Sequence, residues 1–389
     1  MQNTENKTRQ YLMTEGPIHQ KVLRYAIPVF IGYLFQQLYN TADALIVGNL
    51  VGRNALAAVT STGSIVFLAI GTFTGFSVGA GIVIARYIGA EDAERTSRTV
   101  HTAVAMGLFF SVLFTILGVL FSPVILRAMG TPEDVFNDAA LYLKIYFAGC
   151  TGLVMYNIFV GILQASGDST HPLYYLITSS AINVVLDVTF IGVFHMGVDG
   201  AALATILSQT VSAVLVIAVL TRTANSYQLQ IKKMGFDLPI LGRIVKIGLP
   251  AGLQSVMYSL SNVIVQSSIN AFGTTVMAAW TAWGKMDGTF WMIISAFGIA
   301  ITTFTGQNFG AGKFDRMKKS VRVCLAMAMG TTVIVSGILL LFGPYVFRLF
   351  SNEEAVVLQG MEILRTLAPF FFTYICIEIF SGAVRGVGD

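Results

Sequence analysis

The stretch RYAIPVFIGYLFQQLYNTADALIVGNLV, residues 24–51, is long and apolar enough to cross a bilayer, yet it contains an acid. A spanning helix needs about 20 residues. Gln36, Asn40 and Asp43 follow one another at spacings of four and three, which place them on one helical face. A carboxylate inside a spanning helix costs about 2.5–3.5 kcal/mol on insertion scales. This cost favours a site where Asp43 binds a cation or a proton, and a residue that only packs helices is the alternative.

The composition of the whole chain indicates a polytopic helical membrane protein. Of its 389 residues, 55% are hydrophobic and 11% are charged, and the mean hydropathy is +0.72. Soluble domains carry about 25% charged residues. The net charge of +4 is too small and too dispersed to indicate nucleic-acid binding. The cysteines have neither disulfide nor zinc-site spacing, so we expect no cofactor; they are Cys150, Cys324 and Cys376.

Apolar segments recur ten times and predict ten spanning helices. Six lie near residues 24–50, 54–84, 98–121, 139–165, 171–194 and 199–221, and four near 246–271, 276–305, 320–343 and 359–384. We therefore divide the chain into an amino-terminal lobe of six helices (1–222), a cytoplasmic linker (223–245) and a carboxy-terminal lobe (246–389). The polar first 20 residues lack the apolar core of a removable signal peptide, and we expect the first spanning helix to direct insertion.

Basic residues are concentrated in the amino terminus and in the even-numbered loops. They are Lys7, Arg9, Lys21, Arg24, Arg86, Arg95, Arg98, Arg222, Lys232, Lys233, Arg243, Lys313, Arg316, Lys318 and Lys319. The odd-numbered loops contain few basic residues other than Arg53, Arg127 and Arg348. Since basic residues of short loops stay in the cytoplasm, we expect the amino terminus and the even-numbered loops to be cytoplasmic.

Four landmarks of the first lobe return in the second at an offset of 221 or 222 residues. The pairs are Ile27-Pro28 with Leu249-Pro250, Arg86–Ala90 with Gln307–Ala311, Leu120–Pro123 with Leu341–Pro344, and Ser166–Asp168 with Val387–Asp389. A constant offset indicates an internal duplication. Six helices per copy is an even number, so both copies have the same orientation and are related by an axis along the membrane normal, as parallel transporter repeats are.

The duplication also predicts a fold with an incomplete second copy. Thr221 lies 53 residues after Asp168, and this interval holds the fifth and sixth segments of the first copy. Their counterparts would follow Asp389. We therefore expect an all-α membrane protein of two parallel-repeat six-helix bundles, the second lacking its last two helices, roughly 50–60 residues. A native ten-helix form is the alternative.

The polar residues of the first copy predict a site for a coupling ion. Asn183 and Asp187 lie four residues apart in the fifth segment and share a helical face. Together with Asp43 they form a possible Na⁺ site, because oxygen ligands suit hard cations; a carboxylate held away from water can take up a proton instead. Further candidates are Asn157, Thr205 and Tyr39. A polar network that only fixes helix packing is the alternative.

The second copy does not repeat this acidic site. Its eighth segment holds Asp287 close to Lys285, which could form an ion pair or lie at the membrane interface, and its tenth holds Glu378. Function and packing are both open for Glu378. The candidates for a substrate path are Gln36, Asn40, Gln254, Asp287 and Glu378. In the second segment, Gly71, Gly75 and Gly79 recur every four residues and predict close packing against another helix.

With these motifs the chain resembles the multidrug and toxic compound extrusion (MATE) family over nearly its whole length. The carrying features are LYNTADALIVGNLVG (residues 38–52), the Gly-Ala after each second segment (Gly89-Ala90 and Gly310-Ala311), Gln307-Asn308, and the Gly-Asp turns ending at Asp168 and Asp389. Within the family it looks most like bacterial members of the NorM, DinF and MepA-like kinds.

The resemblance implies two lobes around a central cavity and export of cationic drugs in exchange for H⁺ or Na⁺. It implies a coupling site at Asp43, Asn183 and Asp187, with Asn157, Thr205 and Tyr39 as neighbours. Some members also use an acid in helix seven, where this chain has Gln254 and Ser255, and Glu378 could stand near an acidic position of helix ten. We accordingly expect a monomeric antiporter of the bacterial inner membrane, with organic cations and the lipid bilayer as partners and no enzymatic activity.

Two other functions stay open. A flippase for lipid-linked precursors would need a basic cavity for a pyrophosphate, and Lys285 is the one candidate base. An intramembrane protease of the GxGD type would need Asp389, in Gly386-Val387-Gly388-Asp389, to lie within a helix. The matching Ser166-Gly167-Asp168 leads into a proline-containing stretch typical of a turn, which disfavours proteolysis.

Overall fold

The computed structural model describes residues 11–388, which form a bundle of long helices. The amino-terminal lobe contains α1 (Ile18–Ile46), α2 (Arg53–Gly89), α3 (Ala93–Ala128), α4 (Glu133–Ala148), α5 (Cys150–Ala165), α6 (Thr170–Asp187) and α7 (Val198–Arg222). The carboxy-terminal lobe contains α8 (Leu238–Asn270), α9 (Thr274–Gly310), α10 (Phe314–Arg348), α11 (Glu354–Leu367) and α12 (Phe371–Gly386). Short π-helical turns, Val47–Val51 and Val188–Val193, extend α1 and α6.

The helices combine into ten rods that correspond to the ten predicted segments. α4 and α5 form one rod bent by 50°, and α11 continues into α12 through the 3₁₀ turn Ala368–Phe370. Within residues 11–388, seven rods are long and apolar enough to span a membrane, and the bent pair would be an eighth. α1 and α8 fall short of that hydropathy, and both carry polar side chains such as Asn40 and Gln254 within their apolar runs.

α1 packs against both lobes. Its first half, with Val22, Tyr25 and Val29, belongs to the same hydrophobic core as Phe297 and Phe304 of α9. α1 also packs along α6 of the amino-terminal lobe. The first helix is therefore shared between the lobes, which the predicted boundary at residue 222 does not describe.

Glycines bring α2 of one lobe against α8 of the other. A Cβ atom built on Gly75 would lie 2.5 Å from the backbone nitrogen of Gly252, and one built on Gly79 would lie 2.5 Å from the carbonyl oxygen of Ile244. At these two positions the helix backbones touch directly, so a larger residue would separate them. The glycine spacing predicted such a contact without identifying the partner helix.

The ends of α2 and α9 make a reciprocal contact. Gly89, at the end of α2, lies against the carbonyl group of Gln307, and Gly310, at the end of α9, lies against the carbonyl group of Arg86. These positions correspond to one another under the offset of 221 residues. A two-fold axis between two copies produces reciprocal contacts of this kind. The duplication itself stays a prediction.

We call the end of the molecule where these helix termini meet the basic face. There the amino-terminal strap, residues 11–17, crosses between the lobes before α1. Met13 is buried, and its backbone N–H donates to Oε1 of Gln307 at 2.8 Å while its carbonyl accepts from Nδ2 of Asn308 at 3.2 Å. Nε2 of Gln307 in turn donates to the carbonyl of Ala165 at 2.8 Å, so strap and side chain together join the two lobes.

The linker between the lobes docks on α3. The backbone N–H of Gln230 donates to Nε2 of His101 at 3.0 Å, and that of Asp237 donates to Oγ1 of Thr102 at 3.2 Å. The Asp237 side chain also accepts from the backbone of Ile240 at 3.2 Å and caps α8. Because of this cap, α8 begins at Leu238, inside the stretch predicted to be linker (223–245).

Candidate functional site

A cavity of about 840 Å³ lies between the lobes, within the size range of small-molecule sites. Its walls come from α1, α2, α5, α6, α7, α8, α9 and α12, with the side of α4 contributing aromatic rings. The predicted site residues that line it are Gln36, Tyr39, Asn40, Asp43, Asn157, Thr205, Gln254 and Glu378. Three predicted residues, Asn183, Asp187 and Asp287, are not part of the lining.

An acidic pair forms the amino-terminal-lobe edge of the cavity. Asp43 of α1 lines the cavity, and its carboxyl group lies within hydrogen-bonding reach of the Asp187 carboxyl on α6. Asp187 is fully buried, as is Asn183 one turn earlier. A ligand in the cavity can therefore contact Asp43 directly, and Asp187 lies behind Asp43. The two acids, predicted separately from helical spacing, lie side by side.

The carboxyl groups of this pair and the neighbouring Asn183 amide lack hydrogen-bond partners. One oxygen of Asp43, both oxygens of Asp187 and both polar atoms of the Asn183 amide are buried without a hydrogen-bond partner. Two ionised carboxylates cannot donate to each other, and unpartnered polar atoms are costly in a buried site. A proton shared between the acids would bridge two of the carboxyl oxygens, and a cation between them would contact carboxyl oxygens of both acids.

A Na⁺ ion would depend on neutral ligands as well as on the two acids. Within residues 11–388 there is no cluster of three or more His, Cys, Asp or Glu side chains that could hold a metal. Na⁺ accepts carboxylate, amide, hydroxyl and carbonyl oxygens alike. The Asn183 amide oxygen fits this requirement because it is buried and unpartnered.

Neighbouring polar groups that sequence reasoning missed surround the acidic pair. The Tyr39 hydroxyl lies near the Gln209 side chain on α7, and the Tyr142 hydroxyl lies near the Thr205 side chain. Tyr142 and Tyr146 stack with ring centroids 6.2 Å apart and line the cavity. Gln209 lies four residues after Thr205, and Tyr146 four after Tyr142, so helical spacing was the available signal.

The carboxy-terminal lobe contributes an ion pair to the cavity wall. Nη2 of Arg385 donates to Oε1 of Glu378 at 2.8 Å, and both side chains line the cavity. Glu378 was predicted as a substrate-path candidate, whereas Arg385, two helical turns later, was not. Its signal was the seven-residue spacing from Glu378, which places both on one face of α12.

A family model described as MatE matches residues 28–189 and 250–389. The chain belongs to the MATE family of multidrug efflux transporters. Its transmembrane character follows from the same match and from the apolar rods.

Alignments with bacterial relatives extend over nearly the whole of this MATE transporter. Over 387 residues it is 28% identical to the probable multidrug resistance protein YpnP of Bacillus subtilis (strain 168), covering 98% of this chain and 85% of the relative. Over 377 residues it is 29% identical to the probable multidrug resistance protein YoeA of the same organism, covering 94% and 80%. Over 381 residues it is 23% identical to the multidrug export protein MepA of Staphylococcus aureus (strain N315), covering 97% and 84%.

Solved structures of MATE transporters share its fold. A crystal structure of MATE in the bent conformation superposes with a TM-score of 0.91 at 28% identity, over 98% of this chain and 84% of that chain. A MOP superfamily transporter from Pyrococcus furiosus Vc1 (DSM3638) superposes with a TM-score of 0.89 at 27% identity, over 97% and 84%. The latter is described as having a binding pocket of reverse polarity that suggests a different function.

Asn157 and Thr205 of this MATE transporter border the cavity, and each donates a hydrogen bond to its own helix backbone. Nδ2 of Asn157 donates to the carbonyl of Leu153 at 2.8 Å, and Oγ1 of Thr205 donates to the carbonyl of Ala201 at 3.0 Å. Both keep free lone pairs on oxygen. Both oxygens can therefore accept hydrogen bonds or contact a cation; Asn157 keeps a second N–H donor, whereas the Thr205 hydroxyl hydrogen is already used.

Asp287, one of the substrate-path candidates, lies outside the cavity lining. Its Oδ2 accepts from Nε1 of Trp291 at 2.9 Å. None of the ion pairs formed within residues 11–388 joins Asp287 to Lys285. Residues two apart on a helix point to different faces, which is why the predicted pairing fails.

The first Gly-Asp turn has a structural role. Oδ1 of Asp168 accepts from the backbone N–H groups of Thr170 and His171, each at 3.1 Å, at the start of α6. Gly167 has a φ of +91° and lies against the carbonyl of Tyr11 in the strap. Asp389, the residue required by the protease reading, lies outside the described residues.

Proposed function

We propose that this MATE transporter exports lipophilic organic cations in exchange for H⁺ or Na⁺ by alternating access. The acidic pair at the edge of the cavity carries the proposal. Asp43 offers a negative charge to the cavity, and the unpartnered oxygens of Asp187 behind it demand a proton or a cation. Substrate and coupling ion would then compete for the same charge.

Competition for Asp43 provides a coupling mechanism. An ion bound between Asp43 and Asp187 neutralises the cavity edge and weakens its attraction for an organic cation, so ion entry favours substrate release. A ligand shifts a conformational equilibrium by its differential affinity for the two states. Each charge that moves through 100 mV supplies about 2.3 kcal/mol, while a tenfold substrate gradient needs about 1.4 kcal/mol.

The geometry supports an outward-facing assignment for the state described. The reciprocal contact of Gly89 and Gly310 and the amino-terminal strap close the basic face, and the glycine contacts between α2 and α8 hold the lobes together in the half of α2 that leads to that face. The basic residues of that face support a cytoplasmic location under the positive-inside rule. We propose accordingly that the protein lies in a bacterial inner membrane with its amino terminus in the cytoplasm, acts as a monomer, and performs no catalysis.

The flippase reading receives less support from the cavity. A pyrophosphate would need uncompensated bases. Among the described residues the cavity is lined by one basic side chain, Arg385, and Glu378 already binds it. Lys285, the base considered from the sequence, does not line the cavity.

Efflux from vesicles tests the proposal. Vesicles containing the full chain are loaded with a fluorescent lipophilic cation, and a proton gradient or a sodium gradient is imposed separately. We expect export under one gradient and its loss in Asp43→Asn. Asp287→Asn is the matched control, since it removes an acid from an apolar helix outside the cavity lining, and it should export normally. Unimpaired export by inserted Asp43→Asn protein would refute the assigned role of Asp43.

A further inference from the structure

Three charged side chains of the described residues line the cavity: Asp43, Glu378 and Arg385. Asp43 lies on the amino-terminal-lobe side, and the other two lie together on α12. Because Arg385 binds Glu378 at 2.8 Å, the charges of that pair cancel. When Asp43 is ionised and no coupling ion is bound, the cavity as a whole therefore presents one net negative charge, although it contains two acids.

The position of Glu378 is fixed by its packing. A Cβ atom built on Gly298 of α9 would lie 2.5 Å from Oε1 of Glu378 and 2.9 Å from its Cγ. The absence of a side chain at Gly298 thus makes the space in which the carboxyl group lies. The carboxylate faces the cavity in a defined place, where it could attract a cation if Arg385 did not bind it.

The pair is sheltered from water. The side chains of Arg385 and Glu378 are 25% and 17% exposed, and Nε of Arg385 is buried without a partner. The other titratable groups close to Glu378 include the Tyr33 and Tyr374 hydroxyls, which are uncharged near neutral pH. The guanidinium is thus the group that compensates Glu378, and in a sheltered site removing one partner leaves the other charge exposed to the ligand.

We propose that Arg385 is an internal counter-cation that neutralises Glu378 and thereby selects monovalent over divalent organic cations. This inference rests on the proposed export of organic cations. A monovalent cation needs the one negative charge of Asp43. The second positive charge of a dication would find Glu378 already compensated and the guanidinium repelling it, in a site where charges interact more strongly than in bulk water. Arg385 is thus a residue that determines specificity.

Ethidium and propidium provide a matched pair of probes, since both carry the same ring system and propidium has one additional quaternary ammonium group. Their binding to the purified full chain in lipid nanodiscs is measured by fluorescence. We expect Arg385→Gln to raise the affinity for propidium relative to ethidium at least tenfold, which corresponds to about 1.4 kcal/mol. Arg385→Lys keeps the positive charge and should keep the wild-type ratio.

The double variant Glu378→Gln/Arg385→Gln removes both charges and should restore the wild-type ratio of affinities. Glu378→Gln alone leaves Arg385 uncompensated and should weaken binding of both probes, more so for propidium. This second variant decides the matter if Arg385→Gln does not fold. An unchanged ratio in Arg385→Gln that still binds ethidium, or unchanged affinities in Glu378→Gln, would overturn the inference.

Failure of the proposed export function would give a result that differs from failure of the inference about Arg385. A wild-type protein that binds neither probe and exports no cation under either gradient would overturn the export proposal and this inference with it. Wild-type protein that exports ethidium, with a propidium-to-ethidium ratio insensitive to Arg385, would overturn the inference alone.

Discussion

Replacing Gly75 by alanine should shift this transporter toward a state in which the lobes separate at the basic face. The new Cβ atom would lie 2.5 Å from the nitrogen and 2.6 Å from the Cα of Gly252, and 2.7 Å from the carbonyl oxygen of Gly248. All three are backbone atoms of α8 and cannot rotate away. Since carbon atoms pack at about 3.5–4.0 Å, α2 and α8 must move apart by about 1 Å.

The size of the effect follows from the cost of overpacking. Inserting a methyl group into a close-packed contact costs about 1–3 kcal/mol. The closed state carries this cost and a state with separated lobes does not. A free-energy difference of about 1–3 kcal/mol changes the ratio of two conformations by roughly 5–150-fold, so a minor open state should become a substantial fraction of the molecules.

Spin-label distances across the basic face measure this shift. Cys150, Cys324 and Cys376 are replaced by alanine, and labels are attached to Glu94→Cys and Asp315→Cys, two exposed sites on opposite lobes. Double electron–electron resonance should show more long distances in Gly75→Ala than in its parent.

Gly242→Ala is the matched control for the distance measurement. It lies on α8 as well, but a Cβ atom there meets nothing within 4 Å, so its distance distribution should equal that of the parent. Superimposable distributions for Gly75→Ala and the parent would show that the glycine contact does not hold the basic face closed.

Two further substitutions test contacts near the same face. Gln307→Leu leaves the N–H of Met13 and the carbonyl of Ala165 unpaired in a buried site. Because each unsatisfied group costs about 1–3 kcal/mol, this variant should have a lower midpoint of thermal unfolding, whereas the control Gln254→Leu, on the cavity wall, should stay within a degree or two of the wild-type midpoint. Equal midpoints for the two variants would contradict the bridging role of Gln307. His101→Phe removes the acceptor of the Gln230 N–H. Losing this hydrogen bond should lower the local stability of the linker by about 1 kcal/mol and speed hydrogen exchange of the Gln230 amide several-fold. An unchanged exchange rate would show that the linker is held by Asp237 alone.

The apolar segments and their helical periodicity predicted much of the fold, because a chain buried in lipid must form long apolar helices. The ten rods match ten apolar segments, and the repeated glycines of α2 predicted a close helix contact that Gly75 and Gly79 make. Periodicity could not name α8 as the partner, because spacing within one helix contains no information about another. The sharing of α1 between both lobes was missed for the same reason.

The sequence predicted which site residues share a face of one helix, but not how the helices bring them together. Asn183 and Asp187 share a face by spacing alone, but the contact of Asp187 with Asp43 depends on how α1 and α6 pack. The residue pattern grouped them only as acids of one six-helix copy, and the family resemblance implied the same group. Arg385 was not predicted, although it lies two helical turns after Glu378 on the same face of α12 and binds its carboxylate.

The amino-terminal strap has a consequence for how such a sequence can change over generations. Met13 reaches Gln307 and Asn308 through its backbone N–H and carbonyl, which every residue except proline provides. Exposed strap residues such as Glu15 can therefore vary, whereas Met13 is constrained by its buried side chain. Gln307, Asn308 and Gly167, which receive the strap, are constrained as well. Its length cannot drift, because one inserted or deleted residue between Met13 and α1 would move the bonded peptide out of register. Insertions and deletions, rather than substitutions, should be the changes that selection removes there.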